Sequence, residues 1–367
     1  MTAASAQQLE FSTTLSQNVV PADRRAEILA DPGFGTSFTD HMITARWTPD
    51  HGWHDAGLRP YGPLSMDPAT AVLHYAQAIF EGLKAYRHAD GSVWAFRPDA
   101  NGDRFVRSAR RMALPDFPAE SFVEAIELLV RTDAEWVPSG GETSLYLRPF
   151  MFASEVFLGV RPAKEVTFAL IASPAGAYFA SGVKPVSIWL SSEYTRAAPG
   201  GTGAAKCAGN YAASLVAQQE AIEHGCEQVC FLDATERRWV EELGGMNIYF
   251  VRSDGSITTP ELTGTILEGV TRDSIITLAS DLGYKVEERK VSIDEWRDGA
   301  ASGEITEVFA CGTAAVVTPL GRLKWDGGEL VMGDGSPGQV TQHVRRALLD
   351  VQYGRADDKH GWMHRIV

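Results

Sequence analysis

The alternation of apolar and polar positions predicts strands and helices that follow one another along most of the chain. Segments 144–152, 166–172 and 247–252 are apolar runs rich in β-formers, which is typical of buried strands. Apolar residues recur at helical spacing over 118–136 and over 269–283, and a glycine stands at each end of the second segment. Strands interspersed with helices in this way predict an α/β fold.

Further segments extend the same pattern toward the C-terminus. Residues 186–191 and 227–233 are predicted strands, a helix is predicted between them at 211–224, and a last helix is predicted after Pro337. This second run of elements is long enough to form a layered domain of its own.

The length of the chain, 367 residues, indicates about two domains, each large enough to bury a core. The small-residue segment 173–182 suits a connection between them. We therefore expect a small N-terminal α/β domain over 1–178, an interdomain linker over 179–190 and a larger C-terminal domain over 191–367.

Composition narrows the class of protein. Hydrophobic residues make up 44% and charged residues 22%, which is typical of a globular chain, and the formal net charge of −14 disfavours nucleic acid or an anionic membrane as partner. No uninterrupted apolar run is long enough for a membrane span, and the first twenty residues lack a secretory pattern, so a cytoplasmic location is expected. No CxxC motif occurs, and packing is expected for Cys226 and Cys230.

Lys206 lies in a segment that otherwise consists mainly of small residues, Arg196–Tyr211. Small apolar surroundings favour the neutral amine, which can attack a carbonyl group, so Lys206 is a candidate Schiff-base former. Glycines at 200, 201 and 203 permit close approach of the backbone to another group. On these residues alone, an ordinary flexible loop with a solvated lysine remains the preferred interpretation.

Three further segments can carry polar chemistry. Glu241 and Glu242 precede an apolar strand, and strand alternation lets one of them point inward, although a solvated pair is the commoner arrangement. Segment 263–274 places a glycine before a helix, where free N–H groups suit a phosphate. Segment 309–317 contains a Gly-Thr turn that either binds an anion or simply connects two strands. Each signal is weak when taken alone.

Together these segments resemble the branched-chain amino-acid aminotransferases, in order and in spacing. The similarity extends from about Asp31 to Arg355. The motifs that carry it are HYAQAIFEGLKAYR (74–87), FRPDANGDRFVRSARR (96–111), SLYLRPF (144–150), GGTGAAKCAGNY (200–211), EELGGMN (241–247), ILEGVTR (266–272), CGTAAVV (311–317) and VQYGR (351–355).

The resemblance implies a pyridoxal 5′-phosphate (PLP) enzyme of fold type IV, with two α/β domains, the cofactor at the domain interface, and a homodimeric assembly. It implies ping-pong transamination, in which leucine, isoleucine or valine yields its 2-oxo acid and 2-oxoglutarate becomes glutamate. Gly245 replaces a threonine of the animal members, and Ala315 and Thr318 replace their CxxC pair, so the chain is similar to bacterial members.

The resemblance also assigns cofactor roles. Lys206 would form the Schiff base and move the proton, Tyr211 would bond the phenolate oxygen, and Glu242 would bind the protonated pyridine nitrogen, with Glu241 facing away. Phosphate ligands would come from an arginine, a helix start and a threonine. The expected cofactor-binding set is Arg104, Lys206, Tyr211, Glu242, Leu267, Gly269, Val270, Thr271, Gly312 and Thr313.

A branched aliphatic substrate needs an apolar pocket with donors for its carboxylate. The resemblance implies that Phe80, Tyr146 and Tyr178 line this pocket, although plain core packing is the alternative for each aromatic residue. The residues expected to reach the other subunit's site are Tyr75, Leu158 and Val160.

Polar contacts to the substrate complete the expected site. The turn N–H groups of Ala314 and Ala315 would bind the carboxylate, and Arg148 would orient a tyrosine or bind the distal carboxylate of the second substrate. His360 and His364 have helical spacing but no nearby third ligand, so no metal site is expected.

Other interpretations stay open at this point. A D-amino-acid aminotransferase or an aminodeoxychorismate lyase shares the lysine and the ring glutamate. A nucleotide-binding P-loop needs glycine before the lysine and serine or threonine after it, whereas this chain has Ala205 and Cys207. A non-catalytic binding protein is the remaining alternative, and it would lack near-visible absorbance.

Overall fold

The computed structural model describes residues 8–176 and 183–367. The chain divides into two units. Unit one comprises Met1–Tyr178, Ala205–Gly209 and Val351–Val367, and unit two comprises Phe179–Ala204 and Asn210–Asp350. Each unit contains one large sheet with helices, which confirms the predicted α/β class.

The strands of the described residues, in chain order, are β1 Ser12–Thr13, β2 His41–Thr48, β3 Gly52–Pro60, β4 Ala78–Phe80, β5 Leu83–Arg87, β6 Val93–Phe96, β7 Ser144–Ala153, β8 Val166–Ala175, β9 Val186–Leu190, β10 Gln228–Leu232, β11 Val240–Leu243, β12 Asn247–Arg252, β13 Ile257–Thr259, β14 Val286–Glu288, β15 Ile305–Gly312, β16 Val316–Trp325, β17 Gly328–Val331 and β18 Met363–Arg365.

The helices are α1 Ala22–Ala30, α2 Val72–Tyr75, α3 Pro98–Arg111, α4 Ala119–Thr132, α5 Ala208–Ala213, α6 Leu215–Glu223, α7 Val270–Asp281, α8 Ile293–Ser302 and α9 Gln339–Gln352, with a 3₁₀ turn at Ala134–Trp136. Across residues 8–176 and 183–367, none of these helices has both the length and the apolar composition that crossing a bilayer requires.

The sheet of unit one has the strand order β1-β3-β2-β8-β7-β5-β6-β18, and β4 also pairs with β7. The predicted strands at 144–152 and 166–172 are confirmed as β7 and β8, which pair antiparallel along their whole length. Helices α3 and α4 cover this sheet with an aromatic core, because Phe105, Phe122 and Phe168 are all buried and in ring contact. This core fixes α3, which carries one of the expected site residues.

The sheet of unit two has the strand order β11-β10-β9-β16-β15-β12-β13-β14, and β17 pairs with β16. Both faces are covered, as adjacent residues of β12 demonstrate. Tyr249 donates a hydrogen bond to the carbonyl of Arg272 in α7 at 2.7 Å. Phe250 meets the ring of Trp296 in α8, with centroids 5.1 Å apart. Successive strand residues point to opposite faces, so α7 and α8 pack on opposite sides.

The unit boundaries differ from the predicted domains in two respects. Strand β9 lies inside the range predicted as a linker, where it pairs in parallel with β10 and β16. Residues 205–209 and 351–367 belong to unit one, because Cys207 bridges Ile79 and β18 pairs with β6. Such long-range pairings leave no mark on local composition.

Two local predictions are also resolved. The helix predicted over 211–224 is interrupted, because the hydroxyl of Ser214 donates to the carbonyl of Tyr211 at 2.8 Å and competes with the helical pattern. The packing role of Cys226 and Cys230 is confirmed, since both thiols are buried, and burial raises the pKa of Cys230 to about 12.

Candidate active site

The backbone of Lys206 is held within unit one. Its carbonyl accepts the N–H of Phe80 at 3.0 Å, and its own N–H donates to the hydroxyl of Ser108 in α3 at 3.0 Å. The next residue, Cys207, is buried and bridges Ile79. The Lys206 side chain is half-buried, and its Nζ lies 4.8 Å from the centroid of the Phe80 ring. Because both backbone groups of Lys206 are hydrogen-bonded, an ordinary flexible loop at this position is disfavoured.

Arg104 is oriented by a carboxylate that the sequence analysis missed. Its Nε and Nη2 donate to Oε1 and Oε2 of Glu81, each at 2.7 Å. The Arg104 side chain is 4% exposed and that of Glu81 is 0% exposed. The N–H of Gly82 donates to the same carboxylate at 3.2 Å. A two-point ion pair of this kind fixes both the plane and the direction of a guanidinium.

Phe80, Tyr146 and Arg148 form one cluster beside the lysine in unit one. Arg148 Nη2 donates to the Tyr146 hydroxyl at 3.0 Å, and its guanidinium carbon lies 4.9 Å from the Phe80 centroid. The Tyr146 ring meets Phe34 edge to face at 5.0 Å. Arg148 thus contacts a tyrosine, as one of its two expected roles requires. Tyr178, the third expected pocket residue, lies outside the described residues.

Tyr75 and the loop that contains Leu158 and Val160 form an exposed apolar group in unit one. The Tyr75 hydroxyl donates to the carbonyl of Leu158 at 2.5 Å. Leu158 is 65% exposed and Val160 is 89% exposed. Aliphatic side chains this exposed contribute nothing to the core of their own chain.

Glu242 lies on β11 in unit two, and its carboxylate is buried among donors. Its Oε1 accepts the N–H of Leu267 at 2.9 Å and lies 2.6 Å from Nη1 of Arg196. Both side chains of this ion pair are 2% exposed. Arg196 was not assigned a role from sequence, although it is the only charged residue besides Lys206 in segment 196–211. A buried carboxylate needs a counter-charge, and that requirement is the signal that could have identified the arginine.

Glu241 directly precedes Glu242 on β11, and its carboxylate is also buried. Its Oε1 accepts the hydroxyl of Thr265, while Oε2 is buried and has no hydrogen-bond partner among residues 8–176 and 183–367. The side chain lines a cavity of about 180 Å³, together with Trp239 and Lys290. Burial raises the pKa of Glu241, and the hydrogen bond from Thr265 partly opposes this. The structure does not contain the solvated pair, because both carboxylates are buried.

The segment after Glu242 brings three of the predicted motifs together. A Cβ at Gly245 would lie 3.6 Å from the Tyr211 ring, and a Cβ at Gly312 would lie 3.6 Å from the Gly245 carbonyl oxygen. Asn247 Nδ2 donates to the carbonyl of Leu267 at 3.0 Å. Segment 245–247 therefore contacts the tyrosine, the Gly-Thr turn and the loop that leads into α7, so the candidate residues of unit two surround one strand connection.

The start of α7 has the form that the sequence analysis expects of an anion site. Gly269 is the N-cap and supplies no side-chain cap, so the N–H groups of Val270 and Thr271 have no intrahelical acceptor and, within the part of the chain that the structure describes, no capping side chain. A Cβ at Gly269 would lie 2.1 Å from Oδ1 of Asn247, so a side chain at this position would displace the Asn247 amide.

The Gly-Thr turn joins β15 to β16, where Gly312 pairs with Val316. Thr313 and Ala314 are half-buried, and Ala315 is buried. Val316 has φ +58°, a left-handed conformation that strains a β-branched residue. Strain of this kind persists only where the surrounding structure holds it. Burial raises the pKa of the neighbouring thiol, Cys311, so that residue adds no negative charge beside the turn.

The polar groups of each unit have the chemistry needed to bind a phosphorylated pyridine aldehyde. Unit one supplies an amine, Lys206, and an oriented guanidinium, Arg104. Unit two supplies a buried carboxylate for a protonated ring nitrogen, Glu242, together with uncapped N–H groups and the Thr313 hydroxyl for a phosphate. No group of three His, Cys, Asp or Glu side chains suited to a metal ion is found within the described ranges.

Comparison with known proteins agrees with this chemistry. Residues 78–323 match the family model described as amino-transferase class IV. A probable branched-chain-amino-acid aminotransferase of Streptomyces coelicolor is 62% identical over 343 residues, which cover 93% of this chain and 94% of that protein. The branched-chain-amino-acid aminotransferase of Mycolicibacterium smegmatis is 56% identical over 362 residues, or 98% of each chain.

Solved structures share the architecture, and one of them contains the expected cofactor. The branched-chain amino acid aminotransferase of Thermobaculum terrenum in its PLP form is 26% identical to this chain, with a TM-score of 0.69. The similarity covers 88% of this chain and 98% of that one. The Escherichia coli branched-chain amino acid aminotransferase aligns over 88% of this chain and 99% of its own, with 30% identity and a TM-score of 0.73.

Proposed function

Because the chain belongs to the class IV aminotransferases, we propose that it transfers the amino group of leucine, isoleucine or valine to 2-oxoglutarate, with PLP as its cofactor. The names of its relatives support the substrate class. A solved branched-chain amino acid aminotransferase in complex with N-(5′-phosphopyridoxyl)-L-glutamate supports glutamate as the other amino acid. The observation that carries the proposal is the fixed backbone of Lys206 within the motif GGTGAAKCAGNY.

In unit one, Lys206 is the residue that attaches PLP and then moves the proton at the substrate Cα. When bound, PLP supplies an electron sink for the negative charge that develops at this carbon. The contacts of Lys206 with Ser108 and Phe80 hold the amine in one place, which favours a proton transfer of defined geometry. Arg104 binds the phosphate, oriented by its contact with Glu81.

In unit two, Glu242 binds the protonated pyridine nitrogen, and Tyr211 donates a hydrogen bond to the phenolate oxygen of PLP. The uncapped start of α7 and the hydroxyl of Thr313 complete the phosphate ligands. The remaining residues of the proposed cofactor-binding set are Leu267, Gly269 and Gly312. The close contacts of segment 245–247 with these motifs support a common role for them.

For the substrate, Phe80 and Tyr146 form apolar walls, and the turn N–H groups of Ala314 and Ala315 bind the carboxylate. Arg148 reaches the distal carboxylate of the second substrate, 2-oxoglutarate. Its contacts with the rings of Phe80 and Tyr146 support this role, because a guanidinium stacked on aromatic faces can serve a pocket that accepts both apolar and charged side chains.

We further propose a homodimer in which Tyr75, Leu158 and Val160 of one protomer enter the partner's site. The exposure of these side chains and the bond between the Tyr75 hydroxyl and the Leu158 carbonyl support the proposal. A preformed apolar loop of this kind loses little conformational entropy when it is covered.

Replacement of the lysine tests the proposed function. Lys206→Ala should abolish both turnover of leucine with 2-oxoglutarate and the near-visible absorbance of lysine-bound PLP. Lys164→Ala, which removes an exposed lysine of the same unit, is the matched control and should change neither. Retained turnover with intact absorbance in the first variant would show that another residue attaches the cofactor.

The first half of the reaction, the conversion of the amino acid to its 2-oxo acid, distinguishes the proposed function from those of other fold type IV enzymes. Without 2-oxoglutarate, the chain should release one equivalent of 2-oxo acid per site and then stop. Continuous release without an acceptor would rule out ping-pong transamination. Turnover of D-amino acids but not of L-leucine would indicate a D-amino-acid aminotransferase. Cleavage of aminodeoxychorismate without an added 2-oxo acid acceptor would indicate the lyase.

A further inference from the structure

Arg196 and Glu242 form a buried ion pair within unit two. The distance from Nη1 to Oε1 is 2.6 Å, and both side chains are 2% exposed. Because water is excluded, the ionised carboxylate depends on this guanidinium and on the N–H of Leu267 for its stabilisation. An arginine suits this position because its guanidinium stays protonated under all physiological conditions.

The same guanidinium binds two further chain segments. Its Nη1 donates to the carbonyl of Thr265 at 2.9 Å, and both Nη1 and Nη2 lie 3.4 Å from the carbonyl of Gly203. A Cβ at Gly203 would lie only 2.2 Å from the Thr265 carbonyl oxygen, so these two segments are in direct contact. Arg196 therefore joins the lysine-containing motif, strand β11 and the loop before α7 through one planar group.

We propose that Arg196 is a positioning residue that keeps Glu242 ionised and fixed in direction, and thereby holds the proton on the pyridine nitrogen of PLP. The inference rests on the proposed function, because Glu242 acts on the ring only if PLP binds. A carboxylate that loses its buried counter-charge favours its neutral form, and a neutral acid no longer stabilises a pyridinium.

The experiment compares the binding of two cofactors by the parent chain and its variants. One cofactor is PLP and the other is its 1-deaza analogue, in which a C–H replaces the ring nitrogen. The proteins are the parent chain, Arg196→Met, Arg196→Lys and the control Arg346→Met, which removes an exposed arginine of α9. We measure the affinity of the cofactor-free proteins for each compound, and the ratio of the two affinities is the readout.

Arg196→Met should lower the affinity for PLP roughly tenfold relative to the analogue, because only PLP carries the nitrogen that the carboxylate serves. Arg196→Lys should give a smaller fall of the same sign, and it provides the test if the methionine variant does not fold. Arg346→Met should leave the ratio unchanged. In a Glu242→Gln background, Arg196→Met should no longer change the ratio.

Equal losses for the two compounds would overturn the inference, because they would show a role in folding of the site alone. A fall in the affinity ratio that persists in the Glu242→Gln background, or no loss of affinity for either compound, would overturn it as well. Failure of the proposed function is distinguishable, because the parent chain would then lack the absorbance that depends on Lys206. Failure of this inference leaves that absorbance intact.

Discussion

The pair formed by Arg104 and Glu81 gives a prediction for both stability and anion binding. Glu81→Ala removes the carboxylate that accepts from Nε and Nη2 of Arg104 and from the N–H of Gly82. The guanidinium then remains in a site where its side chain is 4% exposed. Breaking a buried pair costs about 3–5 kcal/mol, because the surviving charge has lost its compensation. We expect this loss in the free energy of unfolding of the cofactor-free protein.

If Arg104 binds the cofactor phosphate, an added anion should recover part of this loss. Inorganic phosphate compensates the guanidinium charge in Glu81→Ala, whereas in the parent chain Glu81 already compensates that charge, so phosphate adds less stability there. A ligand present at a hundred times its Kd stabilises the folded state by about 2.7 kcal/mol, which sets the scale of recovery.

Urea unfolding of the cofactor-free proteins, with phosphate or with sodium chloride at equal ionic strength, measures both effects. The control Asp116→Ala breaks an exposed two-point pair with Arg110, which solvent screens, and it should destabilise the protein far less. The reasoning is refuted if Glu81→Ala costs no more than Asp116→Ala. It is also refuted if phosphate stabilises the parent chain as strongly as the variant.

Two further predictions follow from close packing and from burial. In Gly82→Ala the new Cβ would lie 2.1 Å from the Tyr146 hydroxyl and displace that ring, so kcat/KM for leucine should fall roughly tenfold with unchanged PLP absorbance. The control is Gly62→Ala, where a Cβ meets open space. Equal kinetics in the two variants would contradict the assignment of Tyr146 to the pocket. Because burial raises the pKa of Glu241, the folded chain holds this proton to higher pH than the unfolded chain, and the carboxyl costs stability as pH rises above its ordinary value. Glu241→Gln should therefore gain stability relative to the parent in urea unfolding as the pH rises above the ordinary pKa of a glutamate, and a difference that does not vary with pH would contradict this.

Local pattern was sufficient for elements whose own residues determine them. Strand β12 and helix α7 occur where apolar runs and flanking glycines predict them. The predicted helix over 211–224 fails at Ser214, because a side-chain hydrogen bond to the backbone is a local alternative that periodicity does not register. Strand β18 was not predicted at all, since three residues acquire strand structure only by pairing with β6.

The candidate site shows a similar division. Lys206 stands out in sequence because it departs from the chemistry of its neighbours, and Gly269 because it directly precedes a predicted helix, whereas Glu242 is singled out only by the resemblance. Glu81 and Arg196 do not stand out, because an isolated charged residue in a sequence is most often solvated. Their importance comes from partners far away in the chain, and only the folded structure reveals that both are buried beside opposite charges.

Unit one contains residues from both ends of the chain, and this has a consequence for folding during synthesis. Residues 363–365 form the edge strand beside β6, and Ile366 is buried in the same core. A nascent chain therefore cannot complete its first-made unit until residues 363–366 have been translated, and unit two emerges from the ribosome while that sheet still lacks β18. Truncation near residue 350 should thus damage the unit that was translated first.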